Sequence, residues 1–149
     1  MASLFKQPSA RANIRGNELY PDIKGMIKFY QTGFGVIVSV QLSELPENSV
    51  LGFHIHDGDN CKELSTHYNP RNDLHPYHAG DLPPVFSAGG YAFSAVLTNR
   101  FTVNEIVGRT VILHGLPDDF TTQPSGKSGE KIACGVIDRV AGRYPYNFD

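Results

Sequence analysis

The sequence predicts an all-β domain, a Greek-key β-barrel or immunoglobulin-like sandwich of about eight antiparallel strands with two long functional loops. Three observations carry that expectation. Apolar residues come in short runs with the alternation of half-buried strands, no stretch sustains helical spacing over several turns, and 15 glycines and 10 prolines break the chain into short pieces. At 149 residues the chain suits one domain over 1–149, long enough to bury roughly two thirds of its unfolded surface without a metal to hold it together.

Ala10 to Arg15 is the first expected strand, with Ala10, Ala12 and Ile14 alternating with Arg11 and Asn13. Lys24 to Gln31 and Val36 to Leu42 follow, joined by Thr32-Gly33-Phe34-Gly35 as a hairpin turn. Val50 to His56, Tyr91 to Thr98, Gly108 to His114 and Lys131 to Asp138 complete the set. Asp57 to Gly90 and Gly115 to Glu130 lack strand pattern, and loops of that length in a compact domain are usually functional. The tail from Arg143 to Phe148 reads either as cover for a barrel end or as a surface facing a partner, packing over the barrel being the plainer choice.

Charge excludes some partners. The net charge is -2, and no lysine/arginine block or aromatic-interleaved basic stripe occurs, so neither nucleic acid nor an anionic membrane is expected. No apolar run approaches the ~18 residues of a membrane span. Met1-Ala2-Ser3-Leu4-Phe5 lacks the long apolar segment of a secretory signal, so a cytoplasmic location is expected.

The histidines carry the chemistry. All 6 fall between positions 54 and 114, as His54, His56, His67, His75, His78 and His114, with Asp81 close behind His78. Imidazole is the commonest transition-metal ligand, so this grouping points to a metal site. The imidazoles and the carboxylate overfill one tetrahedral site but suffice for two ions that share a ring. In an extended strand alternate residues project from one face, so His54 and His56 can grip a metal while Phe53 and Ile55 enter the core. The same alternation in Val111-Ile112-Leu113-His114 turns His114 toward that site. Imidazoles without thiolate or carboxylate favour copper and tolerate both of its oxidation states. His75-Pro76-Tyr77-His78-Ala79-Gly80-Asp81 is instead a zinc-like set, which His67 would complete.

Cys61 and Cys134 permit one intramolecular pairing. They read either as two buried thiols or as a bridge worth about 4 kcal/mol in the chain-entropy model. The position of Cys61 in a turn-rich segment favours a tether to Ile132-Ala133-Cys134, which would restrain the loop carrying His67. Residue types alone leave the redox state open.

Several motifs, in order, resemble the signatures of copper/zinc superoxide dismutases. They are Gly52-Phe53-His54-Ile55-His56, Gly58-Asp59-Asn60, His67-Tyr68-Asn69-Pro70, His78-Ala79-Gly80-Asp81-Leu82, Gly108-Arg109-Thr110-Val111-Ile112-Leu113-His114 and Ala133-Cys134-Gly135-Val136-Ile137. The resemblance runs from about Ala10 to Ile137 and implies the same β-sandwich. It implies His54, His56, His67 and His114 as copper ligands, and His67, His75, His78 and Asp81 as zinc ligands. Asp118 matches a carboxylate that links a copper-ligand ring to a zinc-ligand ring, and Cys61 and Cys134 match the family disulfide. Three features depart from the family pattern. His75 and His78 lie closer together than usual, the Gly115 to Glu130 loop is short, and Lys131 stands where an arginine is usual, keeping the charge but losing the planar fork.

The activity implied is superoxide dismutation to dioxygen and hydrogen peroxide with Cu(II)/Cu(I) cycling. His67 would move a proton and Lys131 would attract the anion through a positive funnel. The copper ion and the zinc ion are the expected cofactors and superoxide the expected substrate; a homodimer and a copper chaperone are further candidate partners. The alternative from another class is a non-catalytic copper/zinc-binding protein that buffers or delivers metal.

Overall fold

The computed structural model describes residues 7–141. The opening Met1 to Phe5 and the tail Arg143 to Phe148, both used above, lie outside the described residues. Ten elements follow in chain order: β1 (Ala10–Gly16), β2 (Lys24–Thr32), β3 (Gly35–Ser43), β4 (Val50–Leu51), β5 (Phe53–His56), β6 (Val85–Phe86), β7 (Ala92–Thr98), α1 (Val103–Ile106), β8 (Thr110–His114) and β9 (Lys131–Arg139). Seven strands form one sheet in the order β5-β8-β9-β1-β2-β3-β7, and β4 pairs with β6. Every pairing is antiparallel. After the β1–β2–β3 meander the chain leaves for the far edge, returns beside β3 as β7, and ends with β9 against β1, which is Greek-key order.

Alternation builds the core as expected. Ala10, Ala12 and Ile14 of β1, Ile27 and Phe29 of β2, and Val36, Val38 and Val40 of β3 point inward and are buried. Ile55 of edge strand β5 and Ala92 and Val96 of edge strand β7 belong to the same hydrophobic cluster. Both edges of the sheet therefore curl onto one core, which makes the sheet a half-barrel rather than a flat layer. The hairpin at Gly33 and Phe34 stands where it was expected, with Thr32 opposite Gly35.

Three details differ from the sequence expectation. The expected strand from Val50 to His56 is two strands, because at Gly52 the backbone turns to the Gly115–Glu130 loop, with Gly52 N–H bonded to Leu116 O at 2.9 Å. β6, within Asp57 to Gly90, is too short to show a period, and α1 is a four-residue turn whose N-terminus is closed by Thr102 N–H to Glu105 Oε1. The expected strands at Tyr91 and Gly108 begin later, at Ala92 and Thr110. Among the described residues no helix is long and apolar enough to cross a membrane.

The long segment after β5 is anchored to it. Tyr68 N–H donates to Ile55 O at 2.8 Å, Ile55 N–H to Gly80 O at 2.8 Å and Asp57 N–H to Thr66 O at 2.8 Å, so two passes of the loop cover the free edge of β5. A side chain at Gly80 would place its Cβ 2.3 Å from Ile55 O, which is why glycine stands there. These contacts set His67 opposite His56 and Asp81 opposite His54. A disulfide joins Cys61 to Cys134 across 73 residues, with the Cα atoms 5.9 Å apart, and ties the segment to β9.

Candidate metal centre

β5 sends Phe53 and Ile55 into the core and His54 and His56 to its other face. That face is not open. The loops roof it over, leaving His54 fully buried and His56, His67, His75, His78, Asp81 and His114 nearly so. On β8, Val111 and Leu113 point inward. A bulge in the β8–β9 pairing, where Leu113 faces Ala133 but His114 faces Lys131, brings the imidazole and the ammonium to the same end of the barrel.

Hydrogen bonds identify which nitrogens are free. His56 Nδ1 lies 2.9 Å from Ser65 O and His114 Nδ1 lies 3.1 Å from Gly129 O. A carbonyl only accepts, so both Nδ1 atoms carry the proton and both Nε2 atoms keep a lone pair. Those two Nε2 atoms face each other at 3.3 Å with no proton between them, an arrangement that suits a cation. His54 gives its Nε2–H to Asp118 Oδ2 at 2.8 Å, which leaves Nδ1 buried without a partner; His67 Nε2 is likewise buried and unpartnered. His54, His56, His67 and His114 thus offer converging nitrogens that lie within 4.8 Å of one another.

The second set shares His67. His67 Nδ1 lies 2.8 Å from Asp81 Oδ1 and 3.2 Å from His78 Nδ1. Asp81 Oδ2 lies 3.2 Å from His78 Nδ1 and 3.0 Å from His75 Nδ1, which makes no hydrogen bond despite the short separation. Donors around a tetrahedral zinc at its usual bond length stand roughly 3.3 Å apart. The four side chains therefore need only small adjustments to take the ion, and the N₃O donor set is chemically zinc-like. Between the two sets, Asp118 accepts from His54 Nε2 at 2.8 Å and from His75 Nε2 at 2.7 Å, fixing the tautomer of one ring in each set.

The electrostatics keep the lone pairs available. Burial, helped by neighbouring imidazoles, pushes the His56 pKa down to about 3 and that of His114 down to about 4; burial also lowers His54 and His78. Burial alone would raise Asp81 and Asp118. Hydrogen bonds from His67 to Asp81, and from His54, His75 and Phe120 N–H to Asp118, outweigh it and hold both carboxyls below the ordinary range.

A stability profile follows for the metal-free protein. In the unfolded chain His56 and His114 take a proton near 6.5, but in the folded chain only near 3 and 4. The unfolded state therefore binds more protons in this window, and stability falls as pH drops from about 6.5 toward 3. Asp81 and Asp118, with lowered folded values, lose their contribution at the acid end, which adds to the fall. Urea titrations of the apoprotein across this range check it; equal stability at pH 7 and pH 4 contradicts it.

A cavity of about 630 Å³ opens onto this centre, lined by His56, His67, His114 and Lys131. Lys131 Nζ donates to Cys61 O, so the disulfide loop holds the ammonium in place. The cavity lining is not the positive funnel expected from the sequence, because carboxylates outnumber cations in it. Asp57, Glu63 and Glu130 also line the cavity, and Lys131 is the one lysine or arginine among its lining residues.

Sequence reasoning missed Gly126. Its φ is +73°, and an added Cβ would fall 2.0 Å from Asp118 Oδ1 and 2.6 Å from His75 Nε2, so only glycine leaves room for that hydrogen bond. It also missed the Ser65 and Gly129 carbonyls that set the two tautomers. The glycine-rich run Gly126-Lys127-Ser128-Gly129 was the available signal.

Fold and ligand sets together define a class, a β-barrel carrying a two-site histidine centre with one shared ring. The family model for copper/zinc superoxide dismutase matches residues 23–137, and the chain belongs to that family. Relatives include superoxide dismutase [Cu-Zn] 1 of Aquifex aeolicus, 32% identical over 76% of this chain and 79% of the relative. That of Legionella pneumophila is 34% identical over 76% of each chain. Superoxide dismutase [Cu-Zn] A of Xenopus laevis is 33% identical over 78% of this chain and 89% of its own.

Proposed function

We propose that this chain, acting as one domain over 1–149, is a superoxide dismutase that converts two superoxide anions and two protons to dioxygen and hydrogen peroxide. One observation carries the reading above the others: His67 faces both ligand sets, with Nε2 unpartnered toward the four-imidazole group and Nδ1 among His78 and Asp81. A metal buffer has no use for such a shared ring.

His54, His56, His67 and His114 would hold copper, and His67, His75, His78 and Asp81 would hold zinc. When bound, copper supplies reversible one-electron exchange and zinc a redox-inert charge on the shared ring. The remaining work falls to the chain. Asp118 keeps the His54 and His75 rings in register and the tautomers fixed. His67 Nε2 is the atom at which a proton can be held and returned between the two half-reactions. The disulfide loop fixes Lys131 against the cavity wall, and Lys131 counters the carboxylates around it to admit an anion. Assembly as a homodimer and copper delivery by a chaperone extend the same reading.

Lys131→Glu is expected to lower the second-order rate with superoxide about tenfold at low ionic strength, with copper and zinc content intact. The difference should shrink as salt shortens the Debye length to about 10 Å at 0.1 M. Rates equal to wild type at low salt remove Lys131 from this role. The activity itself is tested by chelation: dismutation should vanish with the metals and return with copper, but not with zinc alone.

A further inference from the structure

We propose that Gln123 and Arg100 are positioning residues for the zinc half of the centre, setting the backbone of its ligand-bearing turn from outside. The inference rests on the two-ion reading above. His75 and His78 are separated by two residues, and such a turn has few ways to hold itself. Its internal backbone bonds among the described residues are Tyr77 N–H to Leu74 O at 2.7 Å and Asp81 N–H to His78 O at 3.1 Å.

Asp81 Oδ2 also accepts from His78 N–H at 3.0 Å, and Gly80 is bonded to the backbone of Tyr68 and Ile55. The N–H and C=O of His75 and the carbonyls of Pro76 and His78 are held by side chains from two other segments. Gln123 Oε1 accepts from His75 N–H at 2.9 Å, and Gln123 Nε2 donates to His75 O at 2.8 Å. One carboxamide therefore grips both polar groups of His75, as a neighbouring strand would. Arg100 Nη1 donates to Pro76 O at 2.7 Å and to His78 O at 3.3 Å. Asp118, on the same loop as Gln123, holds the ring of His75 through Nε2 at 2.7 Å. His75 is thus fixed at ring and backbone by one loop, while Arg100 fixes the carbonyls on either side of Tyr77. The bonds of Gln123 and Arg100 described above go to the backbone of the turn and to none of its ligand atoms. Gln123 is exposed and Arg100 half-buried, so each can be exchanged for methionine without opening the core.

The test uses the full chain with Gln123→Met and Arg100→Met, singly and together. Zinc and copper affinities are measured by chelator competition, cobalt(II) spectra are recorded with cobalt in the zinc half, and His75 amide exchange is followed in the metal-free protein. Each single variant should weaken zinc about tenfold while leaving copper affinity unchanged. The cobalt bands should shift, and the His75 amide should exchange faster in Gln123→Met. Gln123→Glu keeps an acceptor for His75 N–H but loses the donor to His75 O, and should recover part of the zinc affinity. Zinc affinity equal to wild type in the double variant overturns the proposal. So does a parallel loss of zinc and copper with a lower melting temperature of the metal-free protein, which is the signature of general destabilisation. Wild-type protein that takes copper but no zinc would remove the two-ion reading itself, and the proposal with it.

Discussion

Asp118→Ala is expected to weaken both halves of the metal centre by about one to two orders of magnitude. The carboxylate accepts from His54 Nε2 and His75 Nε2, one ring from each ligand set, and both rings are buried. Without it two N–H groups lose their acceptor where water is scarce, and each ring is free to turn or change tautomer, which costs the ligand geometry on its opposite nitrogen. Asp118→Asn refines the result. A carboxamide has one accepting oxygen, so it can keep one ring and must present its NH₂ to the other. One metal should then be lost more readily than the other, and chelator competition on both variants reads which. Copper and zinc affinities unchanged in Asp118→Ala would mean that the rings are held by packing alone.

Replacing Cys61 and Cys134 together by alanine should cost the metal-free protein about 4 kcal/mol in the chain-entropy model. The closed loop spans 73 residues, about half the chain, so its release adds much freedom to the unfolded state. For a domain of this size that is a drop in melting temperature of roughly 8–16 °C. A local effect should accompany it. The same loop carries Ser65, whose carbonyl sets the His56 tautomer, and Cys61, whose carbonyl receives Lys131. Copper affinity and the low-salt rate should therefore fall alongside stability. Urea denaturation of the metal-free variant checks the first part, and a loss below about 1 kcal/mol would show that the unfolded chain is already compact across this span.

Much of this was legible from residue order because it depends on local periodicity. Ala10, Ala12 and Ile14 alternate with polar neighbours and form β1, and the spacing of His54 and His56 forces both rings to one face of β5. The clustering of His75, His78 and Asp81 is equally local. What escaped depends on segments that meet only in the fold. β6 is two residues long and follows two prolines, so it shows no period, and the break at Gly52 comes from a loop that returns to it after more than sixty residues. Gly126 looks like any loop glycine until Asp118 and His75 are seen against it. Gln123 reaches the backbone of His75 across 48 residues, and no spacing rule announces such a contact. The cavity's charge was misjudged for the same reason, since Asp57 and Glu63 join Lys131 in lining the cavity only once the loops are folded.

The most direct test of the central claim is superoxide decay by pulse radiolysis on preparations assayed for copper and zinc. Apoprotein and copper-reconstituted protein are run alongside. The two-site centre predicts rapid decay that rises in proportion to copper occupancy and returns on reconstitution. Full copper occupancy with decay no faster than the apoprotein would contradict it, leaving a metal-binding protein built on this barrel.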